Sequence, residues 1–383
     1  MSNTTLEKWE EKTLGEICKK ISAGGDKPDV FSKESTDICK VPIYSNGIEN
    51  NGLYGYTDVP AIMDEAITIS ARGTIGFVCK RCEPYYPIVR LISVIPNNYI
   101  NVDFMAYALK FMVPTGNGSS IPQLTVPMLK NKKIKYPPLL EQERIVAKLD
   151  EAFEAIDKVK ANAEQNLTNA KELYKVVLNR VFNSNKYQFE HIKLDDLCEI
   201  ITDGTHQTPT YADKGVIFLS AKNVTSEVID WENIKYISDS LHNELKKRVS
   251  PQKGDILLAK NGTTGVAAIV DRDCVFDIYV SLCMLRPKKT VNVQYLLLAI
   301  NNPITKDKFN KSLIGIGVPN LHLNKIRETT VPIPSPKFQD EISSLLNGLK
   351  AEYLKLEQIY TQKIKECDEL KQSILQKAFR GEL

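Results

Sequence analysis

Cys79-Lys-Arg-Cys82 places two thiols at the spacing of a metal knuckle, but no second Cys pair or His pair follows to complete a four-ligand set. Two ordinary thiols are the better reading, and no metal site is expected. The four histidines, His191, His206, His242 and His322, are dispersed, and no serine sits in a Gly-x-Ser-x-Gly elbow. "GTIG" (73–76) and "GTTG" (262–265) have the glycine content of phosphate cradles, yet neither runs on into Lys-Ser/Thr. They read as tight β-turns. Neither "CEPYYP" nor "KYPPLL" supplies the Pro-Pro-Tyr motif with a leading Asp or Asn that adenine methylation would need. The expectation is therefore a chain with no catalytic residues of its own.

A length of 383 residues allows two to three domains, and the hydrophobic (43%) and charged (25%) fractions are those of a globular protein. No apolar run approaches a membrane span, and the charged start "MSNTTLEKWEEKTL" lacks a signal-peptide core, so a cytoplasmic location is expected. Eight cysteines at irregular spacing fit reduced, mostly buried thiols. A net charge of +3 permits a nucleic-acid partner without arguing for one.

The chain repeats itself. "IPQLTVPMLK…PPLLEQERIV" from Ile121 lies over "VPNLHLNKIR…PSPKFQDEIS" from Val318 at a constant offset of 197 residues, through to Phe182 and Phe379. Identical pairs include Pro122/Pro319, Leu124/Leu321, Pro137/Pro334, Gln142/Gln339 and Leu149/Leu346. Earlier, "WEEKTLGEICKKISAGG" from Trp9 matches "FEHIKLDDLCEIITDGT" from Phe189 at an offset of 180, and "ITISARGTIGFV" matches "ILLAKNGTTGVA". The drift in offset puts about seventeen extra residues into the second compact region. Each compact region alternates β-rich runs ("EAITISARGTIGFVCK", "GDILLAKNGTTGVAAIV") with a helix opened by an asparagine cap ("NVDFMAYALKFM", "NVQYLLLAINN").

After each compact region, prolines act as a brake before a long helical pattern, over 141–182 and 338–379. Leu149, Ile156, Ala163, Ala170 and Val177 recur every seven residues, as do their repeat mates Leu346, Tyr353, Tyr360, Cys367 and Ile374. This predicts a coiled-coil seam between two helices of the same chain, antiparallel if the halves obey a pseudo-two-fold axis. The expected fold class is α+β: two β-rich mixed domains joined by two long antiparallel coiled-coil helices, like a dumbbell on a rigid bar. The expected boundaries are 1–140 and 186–336 for the domains and 141–185 and 337–383 for the helices.

This doubled layout resembles the specificity subunit of type I restriction–modification enzymes. The resemblance is carried by "TDGTHQTP" (202–209), "VPIYSNGIENNGLYGYTD" (41–58), the glycine turns "ISARGTIG" (69–76) and "LLAKNGTTG" (257–265), "PPLLEQERIVAKLD" (137–150) and "SILQKAFRGEL" (373–383), and covers essentially the whole chain. It implies a non-catalytic reader of a bipartite double-stranded DNA target, with two target recognition domains on helices that dock two methyltransferase subunits, and restriction subunits in the full complex. S-adenosylmethionine, ATP and Mg would then belong to those partner subunits. In one place the two halves part: the first has "SAGGDKPD" where the second has "TDGTHQTP", so His206 has no histidine counterpart.

Phosphate contacts supply affinity and base-edge contacts supply sequence, with Arg and Lys suited to guanine and Asn and Gln to adenine. The candidates beside the glycine turns are Arg72 and Thr74 in the first domain and Lys260, Asn261 and Thr263 in the second. Loop candidates follow: Ser45, Asn46, Lys222, Asn223, Thr205 and His206. For each, plain turn formation or solvated loop chemistry is the competing reading, and for His206 a structural hydrogen bond is favoured. Glu141, Glu143, Arg144 and Glu151, on the polar faces of the helices, are the candidate partner contacts. The rival function is a coiled-coil scaffold with two β-rich heads that bind proteins.

Overall fold

The computed structural model describes residues 9–113, 116–117, 123–313 and 320–383; the Pro122/Pro319 pair lies outside them. The chain divides into two units, one of Met1–Gln165 with Tyr360–Leu383, the other of Asn166–Ile359.

In the first unit the order is β1 (Glu10–Thr13), α1 (Leu14–Ile17), β2 (Cys18–Ala23), β3 (Val41–Tyr44), β4 (Leu53–Thr57), β5 (Ala66–Ile69), β6 (Thr74–Ile75), β7 (Val78–Arg81), β8 (Tyr86–Pro87), β9 (Ile92–Pro96), α2 (Val102–Met112), β10 (Gly116–Asn117), α3 (Val126–Lys130), β11 (Lys133–Tyr136) and the start of α4 (Leu139–Phe182). Its main sheet is antiparallel in the order β2-β9-β5-β7, with Ile67 opposite Val94. Ile67, Ile69 and Val94 are buried in one core with Phe104, Met105 and Leu109 of α2. Asn101 opens that helix as expected: its side chain accepts from the amides of Asp103 and Phe104. A three-stranded sheet, β4-β3-β8, stands beside the first, with β8 parallel to β3. The ribbon β1–β11 pairs Glu10 with Tyr136 and so ties the start of the module to its last strand, just before α4.

The second unit repeats this plan with β12 (Glu190–Lys193), α5 (Leu194–Leu197), β13 (Cys198–Asp203), β14 (Val216–Leu219), β15 (Lys235–Ile237), α6 (Asp239–Leu245), β16 (Ile256–Ala259), β17 (Ala267–Ile269), β18 (Phe276–Ile278), β19 (Leu282–Pro287), α7 (Val293–Asn301), α8 (Pro303–Lys311), α9 (Leu323–Glu328), β20 (Thr330–Ile333) and α10 (Pro336–Arg380). Its sheets run β13-β19-β16-β17, β15-β14-β18 and β12-β20, the same orders as in the first unit. Even the irregularity recurs: the ladder slips between Cys18 and Lys20 and again between Cys198 and Ile200. Among the described residues helices α6 and α8 have no counterpart, and the segments that hold them carry much of the second half's added length.

Both units contain a stretch of α4 and a stretch of α10. Within the first, Lys160 pairs with Asp368 at 2.6 Å and Lys371 with Asp157, so numbers rise on one helix as they fall on the other: the two run antiparallel. Leu149, Ile156, Ala163 and Cys367 are buried along this seam. Within the second, Tyr174 stacks on Tyr353 with ring centroids 5.4 Å apart, and Leu346 is buried. Every heptad position read from the sequence is buried or half-buried: Ala170, Val177, Tyr353, Tyr360 and Ile374 are half-buried and the other five buried.

The prolines before each helix act together with a glutamine. Gln142 is fully buried; its amide donates to the carbonyls of Pro137 (2.8 Å) and Tyr99 (3.1 Å), and its oxygen accepts from the Asn101 amide (2.8 Å). The repeat mate Gln339 donates to the Pro334 carbonyl at 3.1 Å. The helical ladders begin at the Pro138 and Ser335 carbonyls, so those of Pro137 and Pro334 lie one residue ahead of them, and a buried carbonyl left bare is costly. All eight cysteines are unpaired and five are buried. Among the described residues no helix is long and apolar enough to cross a membrane.

Candidate nucleic-acid interface

The two glycine turns are one structure made twice. In the first module the Ser70 amide donates to the Phe77 carbonyl and the Gly76 amide to the Ser70 carbonyl; in the second, Ala259 receives Gly265 and donates to Val266. Gly73 and Gly262 have φ of 66° and 68°, values that a residue with a Cβ rarely adopts. The turns present Arg72 and Gly73 in one module, and Gly262 and Thr263 in the other, to solvent.

In the first module Asn46 joins this turn to a second loop. Its side-chain oxygen accepts from the Ala71 amide at 2.8 Å, and its side-chain nitrogen donates to the Val89 carbonyl at 2.6 Å. Val89 and Arg90 are both left-handed, at φ 52° and 60°, although one is β-branched and neither is glycine. Each such residue costs about 1–2 kcal/mol. They are held there because the Val89 amide donates to Gly25 and the Arg90 amide to Gly24. Gly24 itself allows the approach, since a Cβ there would lie 2.5 Å from the Pro87 backbone. A third loop, 49–52, is fixed from below: buried Arg81 stacks on Tyr44 with 3.5 Å to the ring centre and donates to the Asn51 carbonyl and to Thr68. Ser45 holds the loop's far end: its amide donates to the Gly52 carbonyl. The outcome is three braced loops presenting Arg72, Arg90, Asn50 and Asn51, all exposed.

The second module converges the same loops with different chemistry. Thr205 bridges Tyr279 as Gly25 bridges Ile88, and the Val280 amide donates to Thr205 as Val89 does to Gly25. Here the link between loops is reversed: the Ser281 hydroxyl, at the position of Arg90, accepts from the Ala221 amide, at the position of Asn46. Lys260 is only 3% exposed, and its ammonium is 2.8 Å from Asp203 Oδ2, with Arg248 2.8 Å from Oδ1 and His206 Nε2 3.4 Å away. The first module has Ala23 and Ala71 at the positions of Asp203 and Lys260.

Several candidates chosen by residue type therefore have internal duties. Asn46 engages the Ala71 and Val89 backbone with its amide, and the Lys260 ammonium is buried against Asp203. Asn223 is 5% exposed, accepts from the Ser220 amide and donates to the carbonyls of Asp230 and Asn233. Thr263 donates to the Val224 carbonyl, and Thr205 accepts from the Gln207 amide. The Thr74 hydroxyl is buried with no partner among the described residues. Arg72, Lys222 and His206 are exposed, and Ser45 and Asn261 half-buried. On α4, Arg144 forms a two-point pair with Glu141 and donates to the Leu383 carbonyl, which holds the Glu141 carboxyl below its usual range; Glu143 and Glu151 face solvent.

Residue type alone missed other exposed positives. Arg90 is one, visible in sequence only as an arginine before a strand. A second group is Lys246, Lys247 and Arg248, which follow α6 in the segment absent from the first half. Lysines also cover equivalent aromatic rings: Lys27 lies 4.2 Å from the Phe31 ring centre and Lys235 3.8 Å from that of Tyr211, each aromatic just before a bridge to the neighbouring strand. Among the described residues no group of three or more His, Cys, Asp or Glu is arranged to hold a metal ion.

The fold is a duplicated α+β module whose braced loops turn exposed cations outward. The family profile "Type I restriction modification DNA specificity domain" matches residues 6–169 and 187–366, and the chain belongs to that family. It is 40% identical over 140 residues to S.MpnORF507P of Mycoplasma pneumoniae, designated a type I specificity subunit; this spans 37% of the chain and 39% of that protein. Similarity to the specificity subunit of the type I restriction enzyme EcoBI of Escherichia coli is 25% over 290 residues, 69% of this chain and 61% of that one. The chain thus matches about two fifths of the length of the Mycoplasma relative. In fold it is similar to a chain from a study of assembly and conformational transition of the type I R-M system (TM-score 0.74, 18% identity, all of both chains). It is also similar to the HsdS subunit of Thermoanaerobacter tengcongensis (TM-score 0.55, 17% identity, 98% and 97% covered).

Proposed function

We propose that this chain is the sequence-reading subunit of a type I restriction–modification system. It reads a bipartite double-stranded DNA target, one half with each module, and has no catalytic role itself. Two methyltransferase subunits dock on its helices, restriction subunits join the full complex, and S-adenosylmethionine, ATP and Mg are bound by those partners. The observation that carries this reading is the braced loop cluster made twice in one chain of this family, with a different set of side chains at equivalent positions. A shared frame with varied loops is what two independent readings require: phosphate-facing cations give affinity to any duplex, while the varied side chains select bases. Co-expression with the cognate methyltransferase subunits, followed by sequencing of methylated positions in the host genome, tests it. The expected result is a stable complex and a motif of two specified halves separated by unspecified bases. A chain that forms no such complex and yields no split motif is not a specificity subunit.

A further inference from the structure

We infer that Arg90 is a specificity-determining residue of the first module, reading guanine at one position of its half-site, and that Asn46 is its positioning residue. The inference rests on the DNA-reading function proposed above. Arg90 is exposed, and its guanidinium has no partner among the described residues. Its backbone is fixed at a left-handed φ of 60°, next to a left-handed valine: the Arg90 amide donates to the Gly24 carbonyl (2.9 Å) and the Val89 amide to the Gly25 carbonyl (2.8 Å). Asn46 closes the arrangement by bonding Val89 at 2.6 Å and Ala71 at 2.8 Å, so one side chain sets the residues preceding both Arg90 and Arg72.

The second module supplies the contrast. At the position of Arg90 it has Ser281, 5% exposed, whose hydroxyl makes the link between loops that Asn46 makes in the first. Neither Val280 nor Ser281 is left-handed. Moving the brace to Asn46 thus frees position 90 for an outward side chain and coincides with the strained turn. Strain of this kind persists where surroundings impose it, at sites that need a fixed direction. A phosphate contact tolerates a mobile cation; the planar fork of arginine on guanine O6 and N7 does not.

The test uses the full chain in complex with its methyltransferase subunits and compares methylated motifs. Arg90→Ala is expected to lower discrimination tenfold or more at one guanine of the first module's half-site, with the other half-site unchanged. Arg90→Lys, which keeps the charge and loses the fork, is expected to relax the same position. Asn46→Ala keeps the Arg90 side chain but removes what positions it, and is expected to relax that position too; a purely structural asparagine would lower methylation evenly without altering the motif. An unchanged motif in Arg90→Ala, with methylation reduced at all sites alike, would mean a phosphate contact and overturn the inference. If the unsubstituted chain gives no split motif, the DNA-reading function fails as well, and the two failures are told apart by that control.

Discussion

Lys260 and Asp203 show how two buried charges can be present in one module and absent from its copy. Taking each ion out of water costs several kcal/mol, recovered only through close pairing and further hydrogen bonds. Asp203 has both: Lys260 and Arg248 at 2.8 Å on its two oxygens. Lys260→Ala should therefore destabilise the second unit by about 3 kcal/mol, since it leaves a carboxylate at 2% exposure with only the solvent-exposed Arg248 and His206 beside it. The double substitution Asp203→Ala with Lys260→Ala copies the first module's Ala23 and Ala71, and should recover most of that loss. Urea unfolding of the single and double variants checks this; a double variant as unstable as the single one would show that the pair is not exchangeable for the alanines. Here the sequence was only partly legible. Lys260 beside a glycine turn looks like a DNA contact, because residue type and loop position say nothing of which way a side chain points. Asn46 and Asn223 likewise make internal hydrogen bonds that residue type does not announce. The signal that would have found the ion pair was present: both of its positions change together to alanine between the halves.

At the scale of elements the reading went further, because periodicity is a property of many residues at once. The heptad stripe, the asparagine caps and the proline starts of the long helices all lie where the pattern places them. Helices α6 and α8 were legible only as a drift in the repeat offset, since an unmatched segment has no mate to be read against. One joint within the second unit depends on a single carboxylate. Glu227 pairs with Lys306 of α8 at 3.1 Å and Lys350 of α10 at 2.8 Å. Burial alone would raise its pKa, but the two ammonium groups outweigh that and hold it below the ordinary carboxylate range. The unfolded chain then takes up a proton before the folded one as pH falls, so the stability that Glu227 contributes is complete above about pH 4.3 and is lost as pH drops through the lower folded value. Glu227→Gln should cost about 1–2 kcal/mol at pH 7, with a smaller difference from the unsubstituted protein at pH 3. Denaturation midpoints at the two pH values measure it; a difference independent of pH would assign the effect to packing.

For the molecule as a whole, the feature that binds the proposed function to the fold is that each long helix belongs to both units. Residues 139–165 of α4 count with the first and 166–182 with the second, and α10 divides likewise. If each unit reads one half of a split target, the length of the helices is what relates the two readings. Seven residues of helix are about 10 Å, the rise of about three base pairs. Removing 157–163 together with 365–371 deletes one heptad from each helix; it takes out both ends of the Lys160–Asp368 and Lys371–Asp157 pairs and leaves the buried stripe in phase, with Ala170 and Ile374 moving into the places of Ala163 and Cys367. The expected methylated motif keeps both half-sites and has a spacer about three base pairs shorter, or methylation is lost because no rotation of the duplex brings both halves into reach. Retention of the original spacer at undiminished methylation would show that the helices do not set it, and the role of the heptad repeat would then be limited to holding each unit's core.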